Sequence, residues 1–263
     1  MDPDLAQHLL GAASGLLVGT SLGLFGGGGS ILAVPLLVSL LGTGQVHLAI
    51  GTSAVAVATN ALSGLISHTL RGTVRWRCAI AFSVSGVAGA LAGAAIGKMI
   101  DGDRLLLMFA GLMAVAGAFM LRRSHPRAGT GGDCTGRTLP GVLACGAGCG
   151  GLAGFFGIGG GFLVVPGLVW STGMPLINAI GTSLVVIFAF GATTAASYAV
   201  SGLVDWALAI SFMLGGAAGS WLGCQAAHHI AQRRDLLQHL FGGILLIVAA
   251  YLAWKSLSAL STG

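Results

Sequence analysis

Apolar runs long enough to cross a bilayer follow one another along this chain: Leu5–Leu24, Val46–Leu70, Trp76–Ile100 and Leu105–Leu121 in the first half. A helix needs ~20 apolar residues to span ~30 Å of hydrocarbon. In that medium every backbone N–H and C=O must be paired within the structure, which leaves helices or a closed barrel. A barrel would show strands of ~10 residues alternating in polarity, and these runs do not alternate. Only 7% of the 263 residues are charged, against ~25% in ordinary soluble domains, too few to coat a soluble fold. The reading is an all-α polytopic membrane protein whose surroundings are the lipid bilayer. The formal charge of +5 then marks cytoplasmic loops and gives no reason to expect a nucleic-acid partner. The chain opens on Asp2 and Asp4 rather than on the basic region of a cleaved signal peptide, so the first run is read as retained.

The chain also repeats itself, which restricts the arrangement further. "GLFGGGGSILAVPLL" at residues 23–37 returns as "GFFGIGGGFLVVPGL" at 154–168. An offset of 131 pairs Gly23, Phe25, Gly26, Gly28, Gly29, Leu32, Val34 and Pro35 with identical residues. An offset of 130 then carries Ile50, Gly51, Thr52 and Ser53 onto Ile180, Gly181, Thr182 and Ser183, Trp76 onto Trp206, and Gly86 onto Gly216. The polar stretch "RRSHPRAGTGGDCTGR" at 122–137 joins the copies. We expect a first membrane repeat over 1–121, a polar cytoplasmic linker over 122–138 and a second repeat over 139–263, with five apolar segments in each. Basic residues orient them. Nine of the twelve Lys and Arg fall in 71–77, 122–137 and 228–235, whereas "SGLVD" at 201–205, the counterpart of the first loop, has none. Matching loops of unlike charge face opposite sides of a membrane. The repeats are therefore expected to be inverted, with both termini periplasmic.

Gly26, Gly27, Gly28 and Gly29 break the first motif, and Gly157, Gly159, Gly160 and Gly161 break its copy, where Ile158 replaces Gly27. Irregular backbone survives at membrane depth only where protein or a water-filled cavity surrounds it. This construction predicts broken or short helices near the membrane midplane, each presenting unpaired N–H groups and a partial positive charge on a backbone that glycine leaves open to close approach. Two inverted repeats would bring two such ends to one pocket and make an anion site without a basic side chain. The hydroxyls of Ser30, Thr52, Ser53, Thr182 and Ser183 would complete the site, or else bond back to their own helices. Neither glycine run is followed by the lysine of a phosphate loop. Ser85, Gly89, Gly93 and Gly97, and Gly215, Gly219 and Gly223, recur at spacing four and read as close helix packing. Such faces also leave a homodimer open.

All seven acids are aspartates near segment ends, so no buried carboxylate can hold sodium or relay a proton, and a small anionic substrate is expected. His47 and His68 are the candidates for proton coupling, the plainer reading being histidines near segment ends. Asn60 is a candidate to line the path or to bond across helices. The five cysteines are odd in number, without C-x-x-C or paired loop positions, so neither a disulfide framework nor a metal centre is expected. Cys145 and Cys149 read as small core residues. No cofactor is expected.

The two glycine motifs, each followed by "AIGTS", resemble the TauE/SafE sulfite exporter family of bacterial permeases over nearly the whole chain. The resemblance implies a secondary transporter of the inner membrane for small sulfur-containing anions such as sulfite or organosulfonates. It implies no catalytic residues, and it puts residues 26–30 and 157–161 near the site. An alternating-access exporter is the first reading. A passive anion channel stays open, as does an intramembrane enzyme pairing Ser30 or Ser53 with His47 or His68. The repeat speaks against the enzyme, because Ser30 becomes Gly161 and His68 becomes Tyr198.

Overall fold

A computed structural model describes residues 3–25, 30–41, 45–122, 134, 138–157, 160–230, 243, 246–254 and 256. Gly26, Gly27, Gly28, Gly29 and Gly159 lie outside the described residues, as does most of 122–138. Among the described residues the chain is helical and without strands: α1 (Pro3–Phe25), α2 (Ala33–Leu41), α3 (Val46–Leu70), α4 (Trp76–Gly97), α5 (Gly102–Arg122), α6 (Leu139–Phe156), α7 (Gly161–Thr172), α8 (Leu176–Val200) and α9 (Trp206–Ile230). Residues 246–254 are helical as well. Five segments within α3, α4, α6, α8 and α9 are long and apolar enough to cross a membrane. The chain is an all-α polytopic membrane protein.

The repeat is visible in how the helices end. α3 stops where Gly72 turns to φ 66° and the Thr73 amide bonds back to the His68 carbonyl at 3.2 Å. α8 stops in the same way, with Gly202 at φ 69° and the Leu203 amide on the Tyr198 carbonyl at 3.0 Å. Trp76 and Trp206 open the next helix in each half and stay exposed, as amphipathic rings do at a bilayer boundary.

Helices of one half pack on helices of the other. α1 lies parallel to α9, with Gly15 against Phe212, Gly19 against Gly216 and Gly223 against Thr20. α4 lies parallel to α6, with Gly86 against Gly150, Ala90 against Gly154 and Gly97 against Phe155. These are one contact made twice: a Cβ on Gly19 would collide with the Gly216 carbonyl, and a Cβ on its counterpart Gly150 with the Gly86 carbonyl. Lipid is as apolar as leucine, so such helices associate through close van der Waals packing that small residues permit.

α3 and α8 form the centre. In their most apolar windows 67% and 56% of residues are buried, against 33–39% in the other three spanning segments. They run antiparallel, because Gly51 meets Tyr198, Gly191 meets Ala54 and Ala58, and Gly64 meets Leu184. That register centres the crossing on an axis beside Thr59 and Ala189.

A disulfide joins Cys78 to Cys134 with the Cα atoms 5.4 Å apart, which corrects the expectation that the cysteines do not pair. Cys78 is in the first turn of α4, and the intervening chain brings Cys134 back onto it across 56 residues. Such a pairing depends on the path of the chain and leaves no spacing signature. Cys145 and Cys149 are free and pack in the apolar cluster around Phe82.

Candidate anion site

The second glycine break has the backbone geometry that its residues demand. α6 ends on Gly157 in the left-handed region (φ 67°), whose N–H caps the Ala153 carbonyl, and α7 begins after Gly160 at φ 68°. A side chain at either position would be strained. The first bonds of α7 run from the Leu163 and Val164 amides to the Gly160 carbonyl, so the Gly161 and Phe162 N–H groups have no carbonyl to reach within the helix. Pro166 lies inside α7. In the first half the same turn is 3₁₀ over residues 30–32, with Ser30 buried and Pro35 in the first turn of α2.

Gly160 faces the middle of α8: a Cβ there would stand 3.2 Å from Cδ2 of Phe190 and 2.7 Å from Cβ of Ala153. Phe190 also lies against Gly86 and beside Phe82, with ring centroids 6.3 Å apart. Its counterpart in α3 is Asn60, which lies against Gly216, the counterpart of Gly86. Asn60 is 1% exposed and neither atom of its amide has a hydrogen-bond partner. One turn further along α9, the hydroxyl of fully buried Ser220 is also unpartnered. Leaving a polar group buried and unpaired costs about 1–3 kcal/mol, and native structures rarely carry that cost without a water, an ion or a ligand to account for it.

The "AIGTS" threonines do something sequence reasoning did not anticipate. Thr52 Oγ1 donates to the Leu48 carbonyl at 2.7 Å and accepts from the Asp205 amide at 3.0 Å, at the start of α9. Thr182 Oγ1 accepts from the Arg75 amide at 3.0 Å, at the start of α4. Gly51 and Gly181 make room for those loops, since a Cβ would press on Leu203 in one case and Thr73 in the other. Each threonine thus fastens a turn of the opposite half. The signal lay in the repeat, where the motif and the turn recur together, but the contact itself is tertiary.

The expected site residues fall into two groups rather than one. Ser53 donates to the Ile50 carbonyl at 2.8 Å and lies 3.4 Å from the Gly157 carbonyl. Ser183 bonds back to the Ile180 carbonyl at 2.7 Å. In the antiparallel register Ser183 is level with Gly64 and its neighbour, which puts the two serines about 18 Å apart along α3 at 1.5 Å per residue. His47 Nε2 donates to the Ile100 carbonyl at 3.1 Å, and His68 Nδ1 shares a 3.0 Å hydrogen bond with Thr73 Oγ1. Ser53 therefore has no histidine base. Asn60 and Phe190, by contrast, are one residue from the axis. Sequence reasoning missed Ser220; it stands where the first half has Ala90, and Asn60 stands where the second half has Phe190, so mismatches between the copies were the available signal.

Lys98 Nζ, at the end of α4, donates to the Ser197 carbonyl (2.7 Å) and to the hydroxyls of Ser197 and Ser201 (2.9 Å each). It caps the C-terminus of α8. A groove of about 310 Å³ on another side of α3 and α8, lined by Val55, Thr59, Leu62, Phe188 and Trp206, is apolar and offers no set of anion donors. No cluster of three metal-ligating side chains occurs among the described residues.

Residues 11–252 match the family profile described as Sulfite exporter TauE/SafE. The chain belongs to the TauE/SafE sulfite exporter family. A "Probable membrane transporter protein" of Xylella fastidiosa is 47% identical over 253 residues, which cover 94% of this chain and 95% of that one. "Probable membrane transporter protein YdhB" of Bacillus subtilis is 27% identical over 80% of this chain and 86% of its own length. No solved structure matches. As a TauE/SafE protein the chain is a multi-pass membrane transporter and not an enzyme.

Proposed function

We propose that this transporter exports sulfite or related organosulfonates across the bacterial inner membrane by alternating access. The observation that carries the reading is the antiparallel crossing of α3 and α8. These helices are one segment in two copies, and copies that traverse a bilayer in opposite directions are inverted repeats, the architecture of rocking carriers. The arginine loop 71–77 and the linker 122–138 then lie in the cytoplasm, with both termini in the periplasm.

The anion is held without a basic side chain. The first-turn amides of α7 and of α2 supply positive partial charge at membrane depth. The Asn60 amide and the Ser220 hydroxyl supply donors near the axis, where both orientations of a carrier can present them. Sulfite and sulfonate oxygens suit such donors, and the family description supplies the sulfur chemistry.

The test is counterflow in proteoliposomes. Unlabelled sulfite trapped inside should drive transient accumulation of labelled sulfite added outside, and sulfate should compete poorly. Sulfite flux with no stimulation from the far side would identify a channel and remove the carrier mechanism.

A further inference from the structure

The Cys78–Cys134 disulfide plays no part in the mechanism above, yet its two sulfurs are in unlike settings. Cys78 is the third residue of α4 and 1% exposed. Cys134 is only partly buried at the edge of the cluster around Phe82. Attack on a disulfide proceeds at the sulfur a nucleophile can reach, and the other sulfur leaves as a thiolate. Of the two residues Cys134 is the more exposed, so attack is assigned to its sulfur. The first-turn amides of α4 carry partial positive charge, and Arg75 and Arg77 flank the turn and are exposed. An approaching dianion is attracted to that face.

We infer that Cys134 is a site of S-sulfonation by sulfite. The sulfite sulfur uses its lone pair to form a bond to Cys134 Sγ. The Cys78–Cys134 bond breaks, and its electron pair leaves on Cys78 Sγ, which then takes a proton from water. Sulfite is oxidised by two electrons as the Cys78–Cys134 disulfide is reduced, so no further oxidant or reductant enters. Attack of the Cys78 thiolate on the adduct expels sulfite and restores the disulfide. The inference rests on the proposed substrate and extends it: the transported anion also severs the covalent tie between Cys134 and α4. On a face that arginine marks as cytoplasmic, a disulfide belongs to the transient, regulatory kind, formed when the thiol pool is oxidised and opened here by the substrate.

Purified full-length protein, oxidised with diamide and freed of reagent, is treated with sulfite or with sulfate and read by peptide mass spectrometry and thiol labelling, with oxidised glutathione in the same tube as an internal standard. Sulfite should give an S-sulfonate on Cys134 and one new labelled thiol at Cys78; sulfate should give neither. Cys78→Ser and Cys134→Ser should each lose the adduct, since neither can form the disulfide. Failure of the disulfide to form, an adduct on Cys78 instead, or an intact disulfide after the glutathione standard has been cleaved each overturns the inference. Counterflow in the same preparations separates the two claims. Adduct without counterflow defeats only the transport reading, and counterflow without adduct defeats only the modification.

Discussion

Asn60 and Phe190 hold the same place in the two repeats, one residue from the axis of the α3/α8 crossing, but one is a buried amide with no partner and the other a ring packed on Gly86 and Phe82. Ser220 and Ala90 differ in the same sense. Around them the scaffold is duplicated closely: Gly19 on Gly216 matches Gly150 on Gly86, and Thr52 on Asp205 matches Thr182 on Arg75. Packing has kept its symmetry and the polar interior has not. The carrier proposed above needs both properties. Its halves must exchange roles in rocking, which demands matched interfaces, while a small solute near the axis is recognised by one set of donors and not by two opposed copies.

The largest effect tests the matched scaffold. Gly19→Val and Gly150→Val each force a branched side chain into a carbonyl on the facing helix. Overpacking costs typically 1–3 kcal/mol, and a rigid backbone cannot yield as a side chain can. Both variants should lose most of their monodisperse folded protein in detergent, as read by size-exclusion yield. Survival of one and loss of the other would show that the two interfaces are not equivalent. Next come the threonine fasteners. Thr52→Val and Thr182→Val leave the Asp205 and Arg75 amides without their acceptors, at a cost of about 1–3 kcal/mol each. Thermal unfolding should shift down by similar amounts in both. Because they are at opposite ends of the crossing, the double variant should be additive within about 0.5 kcal/mol. Clear non-additivity would mean that the turns communicate.

Much of this scaffold could be read in advance, because hydrophobic length and punctuation are local. Val46–Leu70 was expected as a run and is α3, bounded by Gln45 and Arg71. Trp76–Ile100 was overextended: α4 ends at Gly97, and Met99 and Ile100 bond back in a turn while Lys98 reaches to α8. Nothing near Lys98 in the sequence signals a carbonyl 99 residues away. The threonines and Cys134 escaped for the same reason, since their partners are set by tertiary path. Asn60 reads as a polar residue at depth, but its unsatisfied state follows from its packing on Gly216 of α9, which single-segment reading does not contain.

The mismatch at the axis gives a sharper test with opposite signs in two assays. Asn60→Leu removes two unpaired polar atoms from an apolar setting, so stability should rise by about 1–2 kcal/mol, seen as a higher unfolding temperature. The same change should cut sulfite counterflow by about tenfold or more, as loss of one good donor worth about 1.4 kcal/mol requires. A drop in stability together with unchanged flux would make Asn60 a structural residue and remove it from the site.

The smallest effect belongs to Ser220→Ala, which copies Ala90 of the first half into the second. A hydroxyl gives up less than an amide does, so the gain in stability should stay below about 1 kcal/mol. Flux is the informative reading, because Ser220 is one turn from the Gly216 that meets Asn60. If the two donors bind one solute, the flux losses of Ser220→Ala and Asn60→Leu should be less than multiplicative in the double variant, since the second substitution acts on a site already emptied. Independent losses would place Ser220 elsewhere on the path and leave Asn60 as the donor proposed for the anion.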